Sequence, residues 1–66
     1  METVEIMATD LKYGQVIFFR DRWMIIDQIE FHVGYVEVLL RSDDVHFFQT
    51  PFAFGNDETI TVDTSR

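Results

Sequence analysis

The residues that could do chemistry are few. His32 and His46 are the only histidines, Asp43-Asp44 and Asp57-Glu58 are adjacent acid pairs, and Asp27 lies inside an apolar run. Two imidazoles joined by turn acids could ligate zinc, and paired carboxylates could hold a divalent cation through oxygen. The spacing supports neither. The acid-x-acid-x-acid-Gly pattern of a calcium loop is missing, and His32 and His46 fall in separate segments with no ligand spacing between them. Acids at turns ordinarily solvate hairpins. The chain has no cysteine, which removes thiolate chemistry. Ser42, Ser65 and the threonines sit in no nucleophile elbow. Gly14, Gly34 and Gly55 are too far apart to cradle a phosphate. Asp27, if buried, would need a donor such as a backbone amide or an arginine, and general-acid work would need a second titratable group and a pocket. A carboxylate at a bulge or an edge is the more ordinary role. The expectation is therefore no catalytic residue, no metal site and no cofactor, so the chain is not an enzyme.

The aromatic residues carry the stronger functional signal. There are seven Phe, two Tyr and one Trp in 66 residues. Neighbours in a strand point to opposite faces, so Phe18-Phe19 and Phe47-Phe48 cannot each share one small interior without a bulge. Phe52 and Phe54 add two more rings. Some of these must lie at the surface, and contiguous exposed apolar area marks a protein partner. Phe19, Trp23, Tyr35, Phe48, Phe52 and Phe54 are the candidate partner-binding residues. The competing expectation is that the segment 52–54 folds back as a lid over one end of the core.

These rings must be positioned by strands. Apolar residues recur with period two and in short β-branched or aromatic runs, and no long segment has the period of a helix. The runs are 3–7, 15–20, 23–31, 35–41, 45–50 and 58–63. Val4 and Ile6 share one face of the first. The loop 8–14 is ordered by Asp10 and Gly14, with Leu11 tucked inward. Arg20-Asp21-Arg22 and His32-Val33-Gly34 make tight turns. In the longest run the apolar phase fades on the face of Met24 and Ile26 and persists on that of Ile25 and Ile29, which predicts a bulge or sharp bend near Asp27. Val36, Val38 and Leu40 face inward from the fourth run, and Ile60 and Val62 from the last. Pro51 should stop the fifth run, because it cannot donate to a ladder, leaving 52–57 irregular with a short 3₁₀ turn before the last strand.

Such a chain is one all-β domain spanning 1–66, too short for more than a single core. Five or six short strands with tight turns predict a small closed barrel built as an antiparallel meander, since closure removes exposed edges. The stretch Asp10-Leu11-Lys12-Tyr13-Gly14-Gln15-Val16-Ile17 followed by Arg22-Trp23-Met24-Ile25-Ile26-Asp27-Gln28-Ile29, continued by 35–41, resembles the opening of SH3-like barrels and is similar to the KOW-like N-terminal domain of elongation factor P. The resemblance implies the fold alone. The glycine-rich, lysine-presenting loop of that domain is replaced here by His32-Val33-Gly34, and the Ala-Leu-Tyr-Asp-Tyr segment and Trp pair of peptide-binding SH3 domains are missing.

The formal charge is −7, from 12 acids against 5 bases. Nucleic-acid binding depends on neutralising phosphates with Lys and Arg, so direct nucleic-acid binding and attachment to an anionic membrane are not expected. No apolar stretch reaches the length of a membrane helix. The lack of cysteine and of a signal-peptide pattern points to the cytoplasm. The reading that follows is a non-catalytic interaction module that binds a protein partner, or a second copy of itself as a homo-oligomer, through exposed aromatics. A second reading is an acidic mimic of nucleic acid that occupies a basic protein, using Glu5, Glu30, Glu37, Asp43, Asp44, Asp57, Glu58 and Asp63. A third is a peptide or single-strand binder with Tyr13, Trp23 and Tyr35 as stacking platforms.

Overall fold

The computed structural model describes residues 2–42 and 49–65. It is all-β, with six strands in one antiparallel sheet: β1 (Thr3–Met7), β2 (Val16–Phe19), β3 (Arg22–His32), β4 (Tyr35–Ser42), β5 (Gln49–Gly55) and β6 (Thr59–Asp63). The spatial order is β1-β6-β2-β3-β4-β5. Only β2 to β5 form a meander. The last strand inserts between β1 and β2, pairing Val4 with Val62 on one side and Ile17 with Val62 on the other.

Six strands in a single layer have no second layer to cover them, yet Ile17, Ile26, Val36 and Leu40 are completely buried. The sheet covers itself by curling. In a flat sheet β2 and β5, three strands apart, would lie about 14 Å from one another. The rings of Phe19 on β2 and Phe52 on β5 have centroids 4.3 Å apart, and Phe19 meets Phe54 edge-on at 5.5 Å. One buried cluster accordingly joins Ala8, Leu11, Ile17, Met24, Ile26, Val36, Val38, Leu40, Phe54, Ile60 and Val62, with Ile6, Phe19, Ile29 and Phe52 packed against it. The hydrogen-bonded order ends at β1 and β5, which do not pair with each other.

The bend is made at Ile26. The β3–β4 register slips between Ile26 and Gln28, so Asp27 is the extra residue of a bulge. The buried phase passes from Met24 and Ile26 before the bulge to Ile29 after it. On the opposite side Ile26 donates to the Gln15 carbonyl at 2.9 Å and accepts from the Gly14 amide at 2.9 Å. Two residues of the preceding loop therefore face one residue of β3, which is a second irregularity at the same point. The expected kink near Asp27 is present, and it divides β3 into a half that pairs with β2 and a half that reaches beyond it.

Three expectations are corrected. Pro51 does not end a strand: β5 runs through it from Gln49 to Gly55. An edge strand tolerates proline because the ring nitrogen can face away from the ladder. The 3₁₀ turn lies at Ala8–Asp10, after β1, and not before the last strand. It buries Ala8 and is closed by the Leu11 amide on the Ala8 carbonyl at 3.1 Å. The meander is interrupted by β6, as above. The run 45–50 falls mostly outside the described residues.

Two hairpin turns differ in strain. His32 pairs with Tyr35 across Val33-Gly34, and Gly34 takes φ +89°, as the third position of a type II turn requires. Phe19 pairs with Arg22 across Arg20 and Asp21, which hold φ +52° and +66°. Two consecutive positive φ values define a type I′ turn, which Asn-Gly fills at least cost. A side chain in this region costs roughly 1–2 kcal/mol. Asp21→Gly is therefore expected to stabilise the domain by about 0.5–1 kcal/mol after the extra entropy of an unfolded glycine is counted. Gly34→Ala should destabilise it by a similar amount. Thermal unfolding of the two variants should move the midpoint in opposite directions; a lower midpoint for Asp21→Gly would refute the strained-turn assignment.

Candidate functional site

The candidate aromatics do not form one patch. Phe54 is 5% exposed and belongs to the core. Phe19 and Phe52 are half-buried against it, and Arg20 lies over both, with its guanidinium carbon 5.1 Å and 4.8 Å from the ring centroids. This Arg20–Phe19–Phe52 stack seals one end of the curled sheet and gives the strained turn a packing role. A cation over a ring is worth about 0.5–1 kcal/mol when exposed. Trp23 is half-buried on the outer face, where it pairs across the ladder with Phe18 at 5.1 Å. Tyr35 stands at the far end of the β3–β4 hairpin, stacked on His32 with centroids 4.6 Å apart and rings 9° from parallel. Phe48, with Phe47, His46, Asp43 and Asp44, lies outside the described residues.

Of the candidate set Tyr35 is exposed, and the two most exposed rings among the described residues are Tyr13, named only as a stacking platform, and Phe31. Tyr13 is 73% and Phe31 57% exposed. Both line an open groove of about 670 Å³, with Ile6, Leu11 and Ile29 among its apolar walls and Thr9, Asp10, Lys12 and Gln15 among its polar ones. Its position follows from the bend. The distal half of β3, carrying Ile29 and Phe31, passes beyond β2 and faces the loop that follows the 3₁₀ turn.

That loop is rigidly set. Lys12-Tyr13-Gly14-Gln15 is a type II turn, closed by the Gln15 amide on the Lys12 carbonyl at 3.3 Å, with Gly14 at φ +86°. The Gln15 side chain accepts from the Lys12 amide at 2.8 Å, and the Gly14 amide is held by Ile26. Tyr13 occupies the second position of this turn and projects from it. Gly14 and its neighbours were legible as an ordered loop, and Leu11 is buried as expected, at 2% exposure. Phe31 was not singled out because the alternation of β3 changes phase at Asp27, so residues beyond the bulge cannot be assigned to a face by counting from Met24.

Asp27 sits half-buried at the bulge, with Oδ1 3.6 Å from Nε of Arg41 on β4. An arginine thus places an opposite charge beside it, and the pair bridges the two strands where their register slips. Asp27 is not among the residues that line the groove. Asp63, one of the acids considered for a mimic, is 5% exposed and accepts from the amide and the hydroxyl of Ser65 at 2.9 Å and 2.5 Å, so it is used in local structure.

Among the described residues, Glu30, His32 and Glu37 form a group that could hold a metal, their ligand atoms lying within 4.8 Å of one another. Glu30 and Glu37 are direct cross-strand partners, and His32 Nε2 lies 3.3 Å from Glu30 and 3.7 Å from Glu37. Sequence spacing did not reveal this group, because Glu37 joins it only through the β3–β4 register. All three residues are solvent-exposed. The arrangement has a simpler electrostatic content: two like charges opposed on a ladder destabilise it, with the His32 ring beside both carboxylates.

No protein-family model, curated protein or solved structure matches the chain. Among the described residues no helix is long and apolar enough to cross a membrane.

Glu37→Lys should replace a repulsive cross-strand pair with an attractive one and stabilise the domain by about 0.2–1 kcal/mol. The gain should shrink as salt is raised, since the pair is exposed. Urea titrations at low and high ionic strength measure both effects; no gain at low salt would mean that the opposed glutamates cost nothing.

Proposed function

We propose that the chain is a non-catalytic interaction module that binds a protein partner through exposed aromatic surface. The observation that carries this reading is the groove edged by Tyr13 and Phe31. Two large rings stand more than half exposed beside Ile6, Leu11 and Ile29, and a rigid turn holds one of them out. Contiguous apolar surface of this kind is costly to leave in water and is a mark of a binding site. The original aromatic set is redistributed accordingly: Phe19, Phe52 and Phe54 support the fold from within, while Trp23 and Tyr35 remain available on other faces. The groove wall includes Tyr13 but neither Trp23 nor Tyr35, which weighs against a single stacking platform built from all three.

The curled sheet is compatible with a small, incompletely closed barrel of the SH3-like kind, and the groove would then be the opening in its wall. The support is the bend at Ile26 and the contact between β2 and β5. A cysteine-free, acidic module of this type suits the cytoplasm. The acidic-mimic reading keeps Glu30 and Glu37, which the register sets side by side, and loses Asp63 to burial.

Affinity capture from the native host with the wild-type chain and with a Tyr13→Ser, Phe31→Ser double variant tests the module. Both side chains are exposed, so the variant should fold, which circular dichroism verifies. The expected result is a partner, or a second copy of the chain, that is retained by the wild type and reduced at least about tenfold by the double variant, equivalent to about 1.4 kcal/mol. Equal retention by both would overturn the groove assignment. A partner held only at low salt and indifferent to the double variant would favour the mimic.

A further inference from the structure

The backbone of β1 has an unused side. The Ala8 amide donates to the Glu58 carbonyl at 2.9 Å, and the Thr64 amide to the Glu2 carbonyl at 2.9 Å. Both bonds continue the register in which Val4 faces Val62 and Ile6 faces Ile60. Antiparallel partners alternate between bonded and non-bonded pairs. The amides and carbonyls of Val4 and Ile6 therefore point to β6, and those of Thr3, Glu5 and Met7 point away from it. Among the described residues β1 pairs with β6 alone, and no backbone group bonds to those three residues from the other side.

An edge with unpaired groups is a template for another strand unless it is blunted by proline, lysine or a bulge. The opposite edge of the sheet, β5, contains Pro51. The β1 sequence Thr-Val-Glu-Ile-Met has no proline, lysine or bulge, its register with β6 is unbroken, and its one charged residue, Glu5, guards the edge against acidic strands only. Ile6 also lines the groove of Tyr13 and Phe31. An added strand would thus find backbone partners at Thr3, Glu5 and Met7 and an apolar recess on the face of Ile6.

We propose that β1 is a strand-addition site for an extended segment of a partner protein in which basic and apolar residues alternate. Residues opposite Glu5 share its outward face, where a basic side chain meets the carboxylate. The intervening apolar residues share the face of Val4 and Ile6 and seat toward the groove. A second copy of the chain is the poorer occupant. Two β1 strands paired antiparallel through all three edge residues would oppose Glu5 to Glu5, between molecules that each carry a charge of −7. The proposal rests on the interaction-module reading and names its partner chemistry; main-chain bonds supply affinity and alternate side chains supply selectivity in this mode of recognition.

The probe is an acetylated, amidated peptide of alternating Lys and Val, about nine residues long, which spans β1 at about 3.4 Å per residue. Amide exchange measured by NMR on the full chain should slow at least about tenfold at Thr3, Glu5 and Met7 on peptide binding, and stay unchanged at Val4 and Ile6, which already bond to β6. The Glu-Val analogue, and a Lys-Val peptide N-methylated at alternate residues to remove the donors that face β1, should each bind at least about tenfold more weakly. Glu5→Pro should keep the β1–β6 ladder, since the Glu5 amide does not serve it, and should lose the peptide. If that variant unfolds, the N-methylated peptide still decides the matter. Equal protection at odd and even positions, undiminished binding of the N-methylated peptide, or no binding of the parent peptide would overturn strand addition. Loss of a captured partner on Tyr13→Ser, Phe31→Ser would still stand for the module, so the two readings fail separately.

Discussion

A sheet that has no second layer must bury its own apolar face, and every functional feature of this domain follows from how it does so. Six strands totalling fewer than 45 residues supply twelve buried hydrophobic side chains together with the loop that follows β1. Curling is the only way that Ile17, Ile26, Val36 and Leu40 reach complete burial. The curl is concentrated at Ile26, where both of its backbone groups are claimed by Gly14 and Gln15 on one side while Asp27 is pushed out of register on the other. Arg41 lies beside the half-buried carboxylate of Asp27 at the bulge. A weak exposed ion pair adds little energy, but here its partner is half-buried, and losing Arg41 would leave the charge without that compensation.

The curl also decides which aromatics are structural. Rings on β2 and β5 would never meet in a flat sheet. Brought together, Phe19, Phe52 and Phe54 close one end of the interior, and Arg20 covers Phe19 and Phe52 from the turn. That contact offers a reason for Arg at a position where the backbone favours Asn or Gly: the side chain packs where the main chain is strained. At the other end the distal half of β3 overshoots β2, so Ile29 is only partly buried against the core and Phe31 is exposed. Exposure there is a consequence of strand length. β3 has 11 residues and β2 has four, so the longer strand carries apolar side chains past the end of its partner.

Much of the strand content was legible in the residues. Period-two alternation located β1, β4 and β6 with their inward faces, because each is short and regular. The bulge at Asp27 was legible because apolar character changes phase there. What local pattern could not supply was the order of the strands. Nothing in the run 59–63 states that it will lie between β1 and β2, since Ile60 and Val62 would alternate identically at an edge. Pro51 misled for a related reason: its effect depends on whether its strand is central or at an edge, a property of the whole sheet. Among the described residues Phe18 and Phe31 are exposed and Phe54 is buried, an assignment to individual rings that needed the curl.

The same dependence on the whole sheet explains why a small acidic domain can carry a specific site with so little polar machinery. Closing the sheet completely would pair the edge of β1, cover the groove and leave a smooth barrel with its rings inside. Among the described residues, stopping short leaves two features side by side: the outward backbone groups of Thr3, Glu5 and Met7, and an apolar recess walled in part by Ile6. Neither alone would be selective, since backbone groups accept any extended chain and an apolar groove accepts any apolar side chain. In the proposed mode of binding the two together would demand a strand of the right alternation, and Glu5, on the outward face between Thr3 and Met7, would set the sign of the charge on that strand. Selectivity then needs one carboxylate and one register, which a chain of 66 residues can hold without a pocket of converging polar groups.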